Sequence, residues 1–271
     1  MPRILSEFFK GIKAYPKAYQ FTNQHQLWRF YWIPALINLV IFVGVLVLGW
    51  HYSSGLTAYL KTYLMTENLP NWITQTLGWL MNILLRLIVL ILLVKLYRFL
   101  VMLLLAPVLG MVAEKVLVIL LKCPEPSFDV QILLRNIWRG FRLTIGNMII
   151  ELMITIPLML LGLVMPLLAP LTTVGILITE SYFIGFGAMD LRNEFLRLSG
   201  SESKKIIWHR KGLSVGNGIL FNALILIPII GALFVPIFSV VAGTLAIQEV
   251  ESENPTVPYS VPTSPPESLS E

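Results

Sequence analysis

Arg29 stands beside Trp28 at the head of a long apolar run, and Arg86, Lys95, Arg98 and Glu114 interrupt a second one. Ionised side chains inside apolar runs are costly and normally face protein or water, so these residues are the first candidates for chemistry. An arginine at a helix start has a specific use. Its planar fork takes two oxygens of an oxyanion while the first helical amides present a positive dipole end. Leu27, Trp28 and Arg29 are therefore a candidate anion-binding entry, with anchoring of Arg29 among lipid headgroups as the structural alternative. Lys95 and Arg98 can likewise snorkel to headgroups. At about 100° per residue, Arg86 and Lys95 fall on opposite faces, so the three cations form no single stripe along a straight helix. Glu114 reads as an ion-pair partner that orders the fold. Enzyme chemistry finds no support: His25, His51 and His209 lack metal-ligand spacing, and neither a G-x-S-x-G nor a phosphate-loop pattern occurs. With Cys123 alone there is no intramolecular disulfide and no cysteine metal cluster. The expectation is no catalytic residue, no metal and no cofactor.

The elements that must position these residues are membrane helices. Hydrophobic residues make up 56% of the chain and charged residues 13%, with a mean hydropathy of +0.77. Soluble domains carry about 25% charge, so this is an integral membrane protein. Its start is amphipathic and charged, so insertion is expected to begin at internal spans without a cleavable signal peptide. Basic residues cluster in three places: before the first apolar run, around Arg135, Arg139 and Arg142, and from Arg192 to Lys211. The polar stretch 51–75 holds only Lys61 and Glu67 as charges. By the positive-inside rule the basic segments are cytoplasmic and the 51–75 loop faces outward. The basic run 204–212 reads as a headgroup and topology determinant, not a nucleic-acid site.

Along the chain, Leu5, Phe8, Phe9 and Ile12 follow helical spacing over residues 3–20. This suits a helix lying in the membrane interface or one packed on the protein's own core. Residues 30–50 form a first span with Pro34 in its first turns and aromatic residues at both ends. The second apolar run, 77–121, is about twice one span. Residues 130–142 suggest a short amphipathic helix, followed by an apolar block, 143–189, that can hold two helices joined at residues 166–170. The last run, 212–249, has no charge between Lys211 and Glu249 and is broken by Pro228, Gly231 and Pro236. It is too long for one span of roughly 20 residues and slightly short for two. A partly penetrating hairpin with a protein-sheltered tip between Pro228 and Pro236 fits it best. Residues 1–248 are then one membrane domain. Residues 249–271 form an acidic, Pro/Ser-rich tail expected to be disordered.

Several segments together resemble the CysZ-type sulfate transporter family, whose superfamily includes the etoposide-induced membrane proteins. QLWRFYWIPALIN, residues 26–38, is similar to that family's arginine-containing first-helix entry. LLLAPVLGMVAEKV matches its pattern through Ala106, Pro107, Gly110, Ala113 and Glu114, and IPIIGALFVP resembles its double-proline hairpin turn. Three departures stand out. One arginine, Arg29, replaces the usual adjacent pair; Leu191 and Arg192 follow Asp190 in place of Tyr-Pro; and Gly231 takes a position that is often Asn. The resemblance implies an all-α fold with two long transmembrane helices and two Pro/Gly-broken helical hairpins, in homo-oligomers. It also implies multi-pass residence in a bacterial inner membrane, and by the positive-inside rule the N-terminus and tail are expected on the cytoplasmic side. The expected partners are the lipid bilayer and a small inorganic anion such as sulfate, which makes the chain a transporter or channel. A non-transporting membrane scaffold is the competing reading, favoured by the missing second arginine and the added tail.

Overall fold

The computed structural model describes residues 2–30, 32, 35–37, 39–41, 43, 44, 47, 79, 83, 105, 107–125, 129–227 and 230–258. Among these described residues every regular element is helical. The chain divides into two compact units, one of Met1–Leu36 with Met102–Glu271 and one of Ile37–Val101. In the second unit the described positions, from Ile37 to Val47 and at Trp79 and Ile83, are helical and mostly exposed. Arg86, Lys95 and Arg98 lie outside the described residues, as does nearly all of the second apolar run before residue 105.

The first unit starts with α1, Pro2–Gln24. Glu7, Gly11, Ala14, Tyr15, Ala18 and Thr22 recur at three- and four-residue spacing and are buried, whereas Ile4, Leu5 and Phe9 are exposed. The helix therefore packs on the protein through a small and polar face, and its apolar edge looks outward. Residues 107–121 form α2, whose Leu109, Val112, Ala113, Val116 and Leu117 are buried.

Helix α3 spans Val130–Val164, with Asp129 as N-cap accepting from the amides of Gln131 and Ile132. This corrects the expected short helix over 130–142: no proline stands between Val130 and Pro157, so nothing interrupts the ladder. A 3-10 turn, Pro166–Leu168, joins α3 to α4, Ala169–Phe195, where the prolines place the break. In both arms only 17% of the most apolar window is buried, against 78% for Phe234–Glu253. Leu167 at the turn is 92% exposed and Met153 on α3 is 71% exposed. An apolar surface of this extent requires lipid or another protein. The first hairpin thus faces outward, whereas the last helix forms the centre of the unit. By length and composition, Val130–Val164, Pro166–Phe195 and Phe234–Glu253 can each cross a membrane.

From Ser181 onward α4 enters the core. Helix α5, Gly200–His209, then folds back along it, started by a capping box between Ser199 and Glu202. Helices α6, Lys211–Leu224, and α7, Ile230–Glu253, form the last hairpin. Helix α6 ends at Leu224 and α7 already runs from Ile230, ahead of the expected end of the tip at Pro236. Leu226 and Ile227 in the turn are exposed, whereas Gly231 and Pro236 belong to α7 and are buried. Proline inside a helix costs about 3 kcal/mol. The buried run Val235, Ile237, Val240 and Val241 around Pro236 offsets it. Pro228 lies outside the described residues. Past residue 248, α7 continues to Glu253 and Val257 is buried.

Helix α6 is held between α1 and α4 by direct backbone contact. A Cβ at Gly216 would fall on the carbonyl of Phe8 in α1, and one at Gly218 on the carbonyl of Ser181 in α4. Only glycine admits this approach, and Gly212, Gly11 and Gly185 meet neighbouring backbone in the same way. Gly218→Leu is therefore expected to destabilise the fold by about 3 kcal/mol or more, read as a lowered thermal midpoint in detergent. Gly146→Ala, where a Cβ meets nothing within 4 Å, should leave the midpoint unchanged or raise it. In α5, hydrogen bonds from Ser199 hold the Glu202 carboxyl below its ordinary value. A depressed carboxylate stabilises above its unfolded pKa and loses that contribution as pH falls through the folded one. Ser199→Ala should thus speed hydrogen exchange over residues 200–209 at neutral pH, with the difference from the parent shrinking as the medium becomes acidic.

Candidate functional site

The candidate entry is built by a sharp change of direction after α1. The amide of His25 donates to the carbonyl of Phe21 at 3.0 Å, Gln26 takes a left-handed φ of 50°, and Leu27–Phe30 coil into a 3-10 helix. A non-glycine residue in that region is uncommon and reverses the chain sharply. Leu27 is only 4% exposed. Trp28 donates from Nε1 to Asn23 Oδ1 at 2.6 Å, and its ring meets Phe238 edge-on at 5.7 Å and Tyr19 at 6.1 Å. Four residues on, Trp32 meets Phe234 edge-on at 6.2 Å. Trp28 and Trp32 therefore lie along α7 against Phe238 and Phe234, two matched four-residue spacings. Edge-to-face pairs contribute roughly 0.5–1.5 kcal/mol each beyond area burial. The entry is consequently pinned to the last hairpin.

This pinning places the backbone of Arg29; the side chain of Arg29 lies outside the described residues. Of the other sequence-derived candidates, Glu114 is half-buried on α2, and its neighbour Lys115 pairs with Glu125. Gly110, one turn before Glu114, faces the Glu194 carboxylate of α4. Gly231 abuts the carbonyl of Leu224, which lets α7 begin against the end of α6. Asn23, Gln26, Phe234 and Phe238 were not singled out in the sequence. The signal that could have found the two phenylalanines is their spacing, which repeats that of Trp28 and Trp32.

Elsewhere in the unit lie two buried ionic networks, assembled from arginines that read in sequence as topology determinants. Arg139 of α3 grips Asp190 of α4 through both terminal nitrogens, at 3.0 and 2.9 Å, and donates from Nε to the Leu198 carbonyl. Ser203 of α5 donates to the same carboxylate and accepts from Asn193. Arg192, fully buried, bonds Asn193 and, through Nε, Gln248 of α7 at 2.9 Å. Asp190 and Arg192 thus hold α3, α4, α5 and α7 together at the position where the sequence departs from the family's Asp-Tyr-Pro.

In the second network Arg210 donates to Glu251 at 2.6 Å, to Glu7 at 3.2 Å and to the carbonyl of Asn254. Glu251 also accepts from the amide and hydroxyl of Thr256, which ties the chain beyond α7 to the core. Nearer the centre, Tyr15 donates to the Asn217 carbonyl at 3.0 Å, and Asn217 exchanges hydrogen bonds with Ser239. Burial pushes the Tyr15 phenol up, so it remains a neutral donor. A cleft of about 540 Å³ opens between α1, α2 and the end of α7, lined by Lys17, Gln20, Gln24, Gln248 and Glu249, with Lys17 paired to Glu249 at 2.6 Å.

The family model described as sulfate transporter CysZ/etoposide-induced protein 2.4 matches residues 14–236. The matched stretch includes the whole entry, from the middle of α1 through the 3-10 helix, and runs to Pro236 in α7. Comparison with curated proteins finds no match.

Removing one partner of a buried ion pair strands a charge and costs about 3–5 kcal/mol. Arg210→Met is therefore expected to destabilise the folded protein by that order, read as loss of monodisperse material or a lowered thermal midpoint in detergent. Joint replacement of Arg210, Glu7 and Glu251 by apolar residues of similar size should recover much of the loss.

Proposed function

The chain belongs to the sulfate transporter CysZ/etoposide-induced protein 2.4 family, and from that premise we propose that it conducts a small oxyanion, sulfate or a close analogue, across a bacterial inner membrane. The observation that carries this reading is the placement of the Leu27–Phe30 turn. It lies inside the stretch matched to a transporter family and is packed through Trp28 against α7. Recognition of a sulfate-like anion needs donors whose positions do not relax, because the anion exchanges a strong hydration shell for them. A helix start preceded by a fixed reversal supplies backbone donors, and Arg29 supplies a guanidinium.

The distribution of the other charges supports the same reading. Arg139, Arg192 and Arg210 have protein partners that order the helices, so they are not spare cations for an anion path. Arg29 is the cation that the entry segment itself carries, and a single arginine can replace the usual pair when backbone amides share the charge. Lipid contact is the other half of the function, since the exposed α3–α4 hairpin needs an apolar environment.

In proteoliposomes containing the full-length protein, Arg29→Ala is expected to lower sulfate uptake at least tenfold, the loss of one charge-assisted bidentate contact. Arg29→Lys should recover part of it, since the charge returns without the fork. Uptake by the Ala variant equal to the parent would overturn the assignment. Absence of flux in the parent for sulfate and other tetrahedral oxyanions would instead favour a scaffolding role.

A further inference from the structure

We propose that the outward face of α5, with the adjoining start of α1, is a docking surface for anionic phospholipid headgroups, centred on Trp208 and the lysines around it. Helix α5 is strictly two-sided. Ser203, Ile206 and Ile207 point into the core, while Lys204, Lys205, Trp208 and His209 are exposed. Trp208 is 63% exposed, although an indole is one of the most apolar groups a surface can carry. Its ring meets Tyr182 edge-on at 5.9 Å, and Lys211 Nζ stands 4.9 Å from its centroid.

The level of this cluster in the fold identifies its surroundings. Helix α5 runs back along α4, so that Ser203 meets Asp190 and Trp208 meets Tyr182. Tyr182 marks a transition in α4. On one side Leu177 and Ile178 belong to the exposed apolar hairpin; on the other, beginning at Ser181, the helix is buried in the body of the unit. Trp208, Lys211 and Tyr182 therefore sit where the apolar hairpin leaves the protein body. In a bilayer that level is the interface, where amphipathic aromatic rings and snorkelling lysines concentrate.

Helix α1 extends the surface sideways. Gly212 packs on the carbonyl of Ile4, which brings the exposed Ile4, Leu5 and Phe9, together with exposed Lys10 and Lys13, next to the end of α5. The face is positive: the single carboxylate within α5, Glu202, is engaged in its capping box with Ser199. A soluble anion would leave Trp208, Leu5 and Phe9 in water. A phospholipid supplies a phosphate to the lysines and an acyl region to the rings, so it satisfies both halves of the surface.

The test is native mass spectrometry of the full-length protein in detergent, titrated with phosphatidylglycerol or phosphatidylcholine. Each lysine near an anionic surface contributes roughly fivefold in affinity, so the parent should hold phosphatidylglycerol more than tenfold tighter than phosphatidylcholine. The triple variant Lys204→Gln, Lys205→Gln, Lys211→Gln should lose that preference, whereas Arg135→Gln with Arg142→Gln should keep it. Equal retention of the two lipids by the parent, or an unchanged preference in the triple variant, would overturn the proposal. Should the triple variant not fold, the parent alone decides: its preference must fall steeply when salt is raised, and a salt-independent preference refutes it. Inorganic phosphate at matched concentration should leave the lipid bound, and displacement would identify a free-anion site instead. The readout is lipid binding, so it is separable from the outcome of sulfate uptake.

Discussion

The fold depends on how closely α6 can approach its two neighbours. A helix of fourteen residues with little propensity of its own has no reason to persist unless packing holds it. Its glycines lower propensity further, each by about 1 kcal/mol relative to alanine. What they permit is backbone contact with α1 on one side and α4 on the other, at Gly216 and Gly218. Because the α1 side and the α4 side use different residues of the same helix, the relative placement of three helices is set by a few missing methyl groups. The left-handed Gln26 and the entry after it are positioned by α1, so the candidate anion site inherits its geometry from this contact.

A second organising constraint is the pairing of buried charge. Arg139 and Arg210 each pair with carboxylates far away in sequence, while Arg192 bonds the amide oxygens of Asn193 and Gln248. Paired buried charges of this kind add little net stability but punish any alternative packing in which they would be stranded. The glycine contacts allow the helices to come close; the ion pairs select which helices meet. The chain beyond α7 joins this arrangement through Thr256 and Asn254 on the Arg210–Glu251 pair, so its first residues belong to the fold and not to a free tail.

The two hairpins are similar in composition and opposite in use. The α3–α4 arms expose Met153, Leu160, Val164 and Leu171, as a segment in lipid must. The α6–α7 pair is buried by α1 and α4, and α7 carries the aromatic pair that holds Trp28 and Trp32. Hydropathy cannot separate these cases, because lipid and a protein core demand equally apolar side chains. Pro166 and Pro170 do mark the first break, because proline at the start of α4 is compatible with helix initiation. Pro236 does not mark the second, since packing of α7 overrides its cost.

Composition, the placement of basic residues and the punctuation of apolar runs by proline were enough to determine that this is an all-α membrane protein with broken hairpins. The matched segments were enough to determine its family. These are local properties, set within a few turns of chain. Only the tertiary structure decided which arginines are structural, since the partners of Arg139 and Arg210 lie 51 and 203 positions away in sequence. The same holds for the face of α1 that packs: Glu7, Gly11 and Ala14 are buried while Leu5 and Phe9 are not. Apolar periodicity marks the outward side and not the packed one, because α6 presents glycine and backbone to α1, and such a surface selects small residues. The anchoring of Trp28 on Phe238 has the same origin, a pairing that exists only once α1 has turned the chain back onto α7.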